Sequence, residues 1–148
     1  MATHTSETSA FEQAQKEHEQ LRERIKFLHQ RIDVRPASAD EIAKLLRELR
    51  AALETHFRNE ECDGFFDQIV TRAPQLSRQA QKLTHEHVDL LQQTDALIHL
   101  ADGSAGEPIC PATLAAQFHD FSKLLMHHES EENGMLQSAY QDDLGTKD

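Results

Sequence analysis

The sequence is poor in the residues from which β-rich and turn-rich proteins are built. Its 148 residues contain no Trp, one Tyr, five Gly and four Pro, and runs of β-branched residues are absent. Leu, Ala, Glu, Gln, Arg and Lys, which favour helix, are abundant instead. The composition therefore indicates an all-α protein. A single domain of this length can bury a core without disulfides or other covalent staples.

Excess positive charge and long apolar segments are also missing. The formal net charge of −11 argues against nucleic acid and against an anionic membrane surface, since both are bound by clustered cations. No apolar run is long enough to span a bilayer, and the N-terminus lacks the features of a signal peptide. We therefore expect a cytoplasmic protein with no nucleic-acid or membrane partner. Cys62 and Cys110 form no Cys-x-x-Cys pair, so a thiol redox motif and a zinc ribbon are not supported.

Clusters of Pro, Gly and Ser divide the chain into four long helical segments. The helices are predicted over about residues 9–31, 38–70, 75–100 and 112–139. Ser9 with Glu12, and Ser38 with Glu41, look like capping boxes that open the first two. Short connections between long amphipathic helices predict an antiparallel up-down-up-down four-helix bundle over residues 9–140. Residues 1–8 are predicted to be a flexible N-terminal tail, and residues 141–148 a C-terminal tail.

Ten histidines is a high count for this length, and four of them belong to a pattern that occurs twice. The pattern is Glu17-His18 followed by His56 and Glu60, then Glu86-His87 followed by His128 and Glu132. The i, i+4 spacing puts a histidine and a glutamate on one helix face, where both can bind one metal ion. Two such halves facing each other predict a two-metal site. Nitrogen and oxygen donors without thiolate favour iron or manganese, and zinc is compatible by ligand type.

The positions of these residues along and around the helices support one shared site. At about 100° per residue, all six candidate ligands lie on the apolar stripes of their helices, where a polar group is costly unless something satisfies it. Their distances from the connecting loops agree within roughly one helical turn, so an antiparallel bundle brings them to one level. We therefore predict a metal site in the bundle core. Its ligands are His18, His56, Glu60, His87, His128 and Glu132.

One other pair has the same spacing and stays an alternative. His127 with Glu131 repeats the i, i+4 relation. On the helical wheel this pair lies outside the apolar stripe. We therefore prefer His128 with Glu132 as ligands from the fourth helix.

Two further carboxylates and the remaining histidines are interpreted mainly as structural or solvated residues. Glu61 and Glu129 lie beside the inward face; the alternatives are additional metal ligands, carboxylates that support the ligands from outside the metal, or solvated residues, and we favour the last. His29 shares the first apolar stripe but lies about 16 Å beyond His18 along the axis, so we interpret it as a core or rim histidine. The histidines predicted to face outward are His85, His99, His119 and His127.

The ordered set of histidines and glutamates on four helices resembles the hemerythrin-like proteins, also called the HHE cation-binding domain. The resemblance covers about residues 10–140. Three segments look like segments of that family: residues 56–61, the doublet Glu86-His87, and residues 128–133. As a set the motif is specific, although no single segment is.

The resemblance implies a non-haem di-iron centre inside the bundle, with an oxo or hydroxo bridge between the two iron ions. Glu60 and Glu132 would bridge the irons. One iron would be bound by His18 and His56, and the other by His87 and His128.

The sequence departs from the oxygen-carrying hemerythrins at two positions. Those proteins have a further histidine one turn after the ligand on the third helix, and an aspartate five residues after the histidine on the fourth. The corresponding residues here are Leu91 and Asn133. With four histidines rather than five, each metal would keep roughly two of six octahedral positions for water or a small ligand. This argues against reversible oxygen carriage and favours exchange or redox chemistry.

We expect from this reasoning a protein that binds or senses a small inorganic ligand such as oxygen, nitric oxide or peroxide. The alternatives are a di-iron redox enzyme, such as an oxidase or a scavenger of peroxide or nitric oxide, and a protein of iron storage or donation. No substrate pocket, general base or further cofactor motif is visible in the sequence. Binding therefore ranks above catalysis, and a protein partner cannot be named.

Overall fold

A computed structural model describes the backbone of residues 2–34, 38–103 and 111–145, and the side chains of residues 10–33, 38–103 and 111–140. Within these ranges the chain is helical and contains no strand. The α-helices are α1 Ala2–His29, α2 Ala39–Cys62, α3 Phe65–Arg72, α4 Ser77–Asp102 and α5 Pro111–Gly145. A π-helical turn, Gln30–Val34, follows α1, and a 3-10 turn, Pro74–Leu76, precedes α4. The prediction of an all-α four-helix bundle is confirmed, with α3 as a short addition.

The helix ends differ from the prediction in three places. Helix α1 begins at Ala2 rather than Ser9, and α5 continues through Gly134 to Gly145. The second predicted helix, to residue 70, is two helices in the structure. Gly64 has a φ of 101°, a left-handed conformation that favours glycine and cannot continue a right-handed helix. Residues 35–37 and 104–110, within the two predicted loops, lie outside the described residues.

The start of α2 and the end of α4 are fixed by local sequence. The Ser38 side chain accepts a hydrogen bond from the backbone N–H of Glu41 at 3.2 Å, as the capping box predicts. Gly103, with a φ of 79°, ends α4 in the left-handed conformation common after helices. Arg31 donates two hydrogen bonds to the Glu41 carboxylate, at 2.7 and 2.8 Å. This pair ties the π turn to the first turn of α2.

The core of the bundle consists of two apolar layers. The first layer includes Leu28, Leu46, Leu49, Leu97 and Phe118. The second layer, toward the end that carries α3, includes Phe11, Phe65, Ile69, Leu83 and Met135. Burying each such side chain contributes about 1.5–3 kcal/mol, so both layers hold the helices at fixed spacing. A level of buried histidines and glutamates lies between the layers. None of the described helices is both long and apolar enough to cross a bilayer.

Candidate metal centre

The polar level between the two apolar layers contains all six residues that the repeated pattern singles out. Helices α1 and α4 each supply a histidine, and α2 and α5 each supply a histidine and a glutamate one turn apart. All six are buried. Their potential ligand atoms form two groups, within each of which every atom lies within 4.8 Å of the others. The groups are His18, His56, Glu60 and Glu132, and Glu60, His87, His128 and Glu132.

The shared carboxylates contact the histidine of their own helix. His56 Nε2 lies 3.3 Å from Glu60 Oε2, and His128 Nε2 lies 3.1 Å from Glu132 Oε2. Because each pair is spaced i, i+4, the imidazole and the carboxylate leave the helix from the same face. The two pairs face each other across the bundle as two matching halves.

The single histidines of α1 and α4 complete the contacts across the bundle. His18 Nε2 lies 3.0 Å from Glu132 Oε1 and 3.5 Å from Glu60 Oε2. His87 Nε2 lies 3.2 Å from Glu60 Oε1 and 3.6 Å from Glu132 Oε2. Metal–ligand bonds of about 2.0–2.2 Å place neighbouring donor atoms roughly 2.8–3.6 Å apart. The separations in the cluster therefore suit donors that share a cation.

Three of the four imidazoles are oriented from behind by a carboxylate on a neighbouring helix. The Nδ1 atoms of His56, His87 and His128 contact Glu17 Oε1 at 2.7 Å, Glu61 Oε2 at 2.7 Å and Glu86 Oε1 at 2.8 Å. An ionised carboxylate only accepts hydrogen bonds, so Nδ1 is the donor in each pair. Metal-binding histidines commonly have such a partner, which fixes the ring and raises its basicity.

The hydrogen bonds at Nδ1 leave the facing Nε2 atoms without a partner. The Nε2 atoms of His56, His87 and His128 are buried and make no aligned hydrogen bond, and the same is true of both Glu60 oxygens and of Glu132 Oε2. In the neutral rings each Nε2 has a lone pair directed at carboxylate oxygens, so acceptor faces acceptor. Buried polar atoms in this arrangement are costly unless a positive charge lies between them. The donor set therefore fits metal cations.

The titration behaviour of the cluster leads to the same requirement for positive charge. Burial lowers the pKa of His18, but hydrogen bonds to Glu132 and Glu60 outweigh it and raise the pKa to about 10. Burial also lowers the pKa of His87, but its close contacts with Glu132 and Glu60 outweigh burial and raise the pKa to about 10. For His56, contacts with Glu17 and Glu60 outweigh burial and raise the pKa to about 9. Burial raises the pKa of Glu132, yet contacts with three imidazoles hold it well below the ordinary value. Protons and metal ions thus compete for the same nitrogen atoms.

The structure separates the preferred pair on α5 from its alternative. The His128 side chain is 1% exposed and faces the centre, whereas the His127 side chain is 70% exposed. Glu131 pairs with His127 at 2.7 Å and with Lys82 at 3.3 Å on the surface. The pair His127 and Glu131 is therefore not part of the buried cluster.

The sequence interpretation of Glu61 and Glu129 is partly wrong. Glu61 is exposed, as expected, but it also accepts the hydrogen bond from His87 and so supports the centre from outside. Glu129 is not solvated: it is 2% exposed, and both of its oxygens lack a hydrogen-bond partner. Burial raises its pKa to about 6, against the opposing charges of His18 and His56. Glu129 therefore adds a buried acidic group beside the centre.

The outer carboxylates Glu17 and Glu86 were part of the repeated pattern but were given no function. Each lies beside a candidate ligand in the sequence, yet each binds a histidine of another helix, His56 and His128 respectively. The repeated Glu-His doublet was the available signal. Only the packing of the helices shows which ring each carboxylate reaches.

The comparison with protein families agrees with the geometry. A family model described as the hemerythrin HHE cation binding domain matches residues 9–140. Comparison with curated proteins and with solved structures gives no match. The family match and the buried histidine–glutamate cluster together indicate that the protein binds a metal cation.

Proposed function

Because the chain belongs to the hemerythrin HHE cation-binding domain family, we propose that it holds two iron ions and binds or senses a small inorganic ligand such as oxygen, nitric oxide or peroxide. The observation that carries the proposal is the set of buried Nε2 atoms directed at two shared carboxylates. Manganese and zinc also fit these donor types. Zinc has no redox chemistry, so we prefer iron, the metal that the resemblance to the hemerythrin-like proteins implies.

The two groups of donors give each ion the same number of ligands. Each ion would have two imidazoles and one oxygen from each shared carboxylate, which leaves roughly two of six octahedral positions free. Iron bound there supplies one-electron redox chemistry and positions for a small ligand. The two sets are His18 with His56 and His87 with His128, and both share Glu60 and Glu132.

The residues around the centre hold the ligands in place. Glu17 binds the His56 ring, and is itself held by Asn59 Nδ2 at 2.7 Å and Gln13 Nε2 at 2.9 Å. Phe57 stacks on the His87 ring with centroids 3.9 Å apart and planes at 8°. These contacts fix both rings before an ion or ligand arrives, which reduces the cost of ordering them on binding.

A groove on the surface of the bundle reaches the outer side of one candidate ligand, His56. It has a volume of about 420 Å³, lies between α1 and α2, and is lined by residues that include Gln20, Arg24 and Thr55. Glu17 and His56 form part of its wall. A diatomic molecule or peroxide fits this space easily, whereas the apolar layers close the centre along the bundle axis.

The test is the absorption spectrum of iron-loaded protein before and after addition of oxygen, nitric oxide or peroxide. We expect a reversible shift in the near-ultraviolet bands with at least one of the three. Zinc-loaded protein is the matched control and should show no shift, since zinc has no redox chemistry. Unchanged spectra of the iron form with all three ligands would refute the proposal. Turnover well beyond stoichiometric oxidation would instead indicate an enzyme.

A further inference from the structure

A second group of potential ligands lies at the other end of the first apolar layer. His29 is the last residue of α1, Asp33 lies in the π turn, and His119 lies on α5. Their potential ligand atoms all lie within 4.8 Å of one another. His29 is 11 residues beyond His18, or about 16 Å along the helix axis. The group is therefore separate from the buried centre.

The hydrogen bonds of Ser122 determine which His29 nitrogen carries the proton. Ser122 Oγ donates its only hydrogen to the backbone oxygen of His119 at 3.0 Å. Ser122 can then only accept at its 3.1 Å contact with His29 Nε2, so the His29 proton lies on Nε2. The lone pair of a neutral His29 ring is consequently on Nδ1.

The Nδ1 atom of His29 is buried and has no hydrogen-bond partner. The nearest ionised group is Asp33, whose Oδ2 lies 3.8 Å away, and this carboxylate oxygen is also an acceptor. The same oxygen lies 2.8 Å from His119 Nε2. A lone pair and a carboxylate that face each other without a proton between them are an arrangement that a cation would satisfy, as in the buried centre.

We propose that His29, Asp33 and His119 form a second metal site, which binds one divalent transition cation of the zinc type. Two imidazoles and one carboxylate are a common zinc ligand set that leaves a position for water. Donor atoms on a tetrahedral ion with bonds of about 2.0–2.2 Å lie roughly 3.3–3.6 Å apart. The observed 2.8 and 3.8 Å separations bracket this value, so small rotations of the exposed Asp33 and His119 side chains would complete the site.

The surroundings of the group favour a cation. Burial and the neighbouring His119 lower the pKa of His29. The two imidazole rings lie 4.5 Å apart at 32°, an arrangement that disfavours two protonated rings. Asp33 and His119 are exposed, which gives an ion from solvent direct access. A bound ion would join the end of α1 to α5.

The proposal is tested by titrating iron-loaded protein with Zn²⁺ in a calorimeter, with iron content measured before and after. We expect one zinc ion per chain without loss of iron. His119→Ala and Asp33→Asn should weaken this binding by more than about 100-fold, because removing a ligand costs more than the roughly 10- to 100-fold of an outer partner. Ser122→Ala, which frees the His29 tautomer, should weaken it by roughly 10- to 100-fold.

His99→Ala is the matched control, because His99 is an exposed histidine near the same end of the bundle but outside the group. Its zinc binding should equal that of the unchanged protein. If the buried centre also takes up zinc, the unchanged protein should still bind one more zinc ion per chain than His119→Ala. That difference reports the second site. No additional zinc in the unchanged protein, or equal binding by His119→Ala and Asp33→Asn, would overturn the proposal. The test is independent of the ligand chemistry proposed for the buried centre.

Discussion

The two halves of the buried centre have the same ligand types but different surroundings. In the first half, with His18 and His56, one ring lines the groove between α1 and α2, and the buried Glu129 adds negative charge. In the second half, with His87 and His128, Phe57 covers the face of one ring. There the outer carboxylates are Glu61 and Glu86, and Lys82 Nζ lies 3.7 Å from Glu86.

This difference means that two ions with equal ligand counts would not be equivalent. An ion in the first half would lie on the side of the groove and beside the buried Glu129 carboxylate, so we expect exchange of a small ligand on that side. An ion in the second half would be enclosed by aromatic packing and would mainly stabilise the bundle. The shared carboxylates Glu60 and Glu132 couple the two halves. Substitutions can therefore affect both halves, one half, or the residues that surround one half.

The largest effect is expected from Glu132→Ala, which removes a donor common to both halves. We expect loss of both iron ions and a decrease of about 3–5 kcal/mol in the free energy of unfolding, as when one partner of a buried charge pair is removed. Metal analysis and denaturant unfolding measure the two quantities. Glu131→Ala is the control and should keep two ions, since Glu131 pairs only with surface groups in the described part of the chain. Two retained ions in Glu132→Ala would contradict the shared site.

A smaller effect is expected from His128→Ala, which acts on the second half alone. It should remove about one iron ion per chain and lower the free energy of unfolding by roughly 2–5 kcal/mol, as other large-to-small changes in a core do. The neighbouring variant His127→Ala should keep both ions and change stability by less than about 0.5 kcal/mol, because that side chain is exposed. Equal iron content in the two variants would show that the halves do not bind metal separately.

The inward positions of the candidate ligands were predictable because they follow from helical periodicity alone. His56, Glu60, His128 and Glu132 repeat the spacing of the apolar stripes, and an antiparallel bundle fixes their level. The break of the second helix was not predictable in this way. It depends on the left-handed conformation of Gly64, and an isolated glycine inside a helical pattern is often tolerated.

The outer contacts of the centre were less predictable, because they depend on how neighbouring helices are rotated against each other. Glu17 precedes His18 in the sequence but binds His56. Glu129 follows His128 and looked like a solvated position at the margin of the stripe, yet α5 packs so that it is buried. For residues at the edge of an apolar stripe, burial and contacts are determined by how the helices pack and not by helical periodicity.

An intermediate effect is expected from removing the charge of an outer carboxylate. Glu17→Gln should weaken iron binding in the first half, and Glu86→Gln in the second half, each by roughly 10- to 100-fold. Glu17 should have the larger effect because its side chain is 12% exposed, against 29% for Glu86, and a less exposed charge is less screened by solvent. Competition with a chelator measures both affinities. Glu19→Gln, an exposed change on α1, should leave them unaltered.

The smallest effect is expected from Glu129→Gln, which tests the extra charge of the first half. The pKa of Glu129 in the folded protein, about 6, is above the ordinary value of 4.5. The ionised carboxylate therefore destabilises the metal-free protein above pH 6, and this destabilisation is absent below pH 4.5, where the group is protonated in both states. The free energy of unfolding of the variant should therefore exceed that of the unchanged protein by about 1–2 kcal/mol at pH 7.5 and be equal to it at pH 4.5. Urea unfolding of the metal-free protein measures the difference.

The iron-loaded protein should show the opposite sign, because the Glu129 carboxylate then offsets the positive charge of an ion bound by His18 and His56. Glu129→Gln should lower the affinity for iron in the first half while it stabilises the metal-free fold. A variant with higher stability at pH 7.5 and unchanged iron affinity would show that the buried charge is not felt by the ion. In that case the groove and the aromatic packing, rather than Glu129, would account for any inequivalence between the two halves.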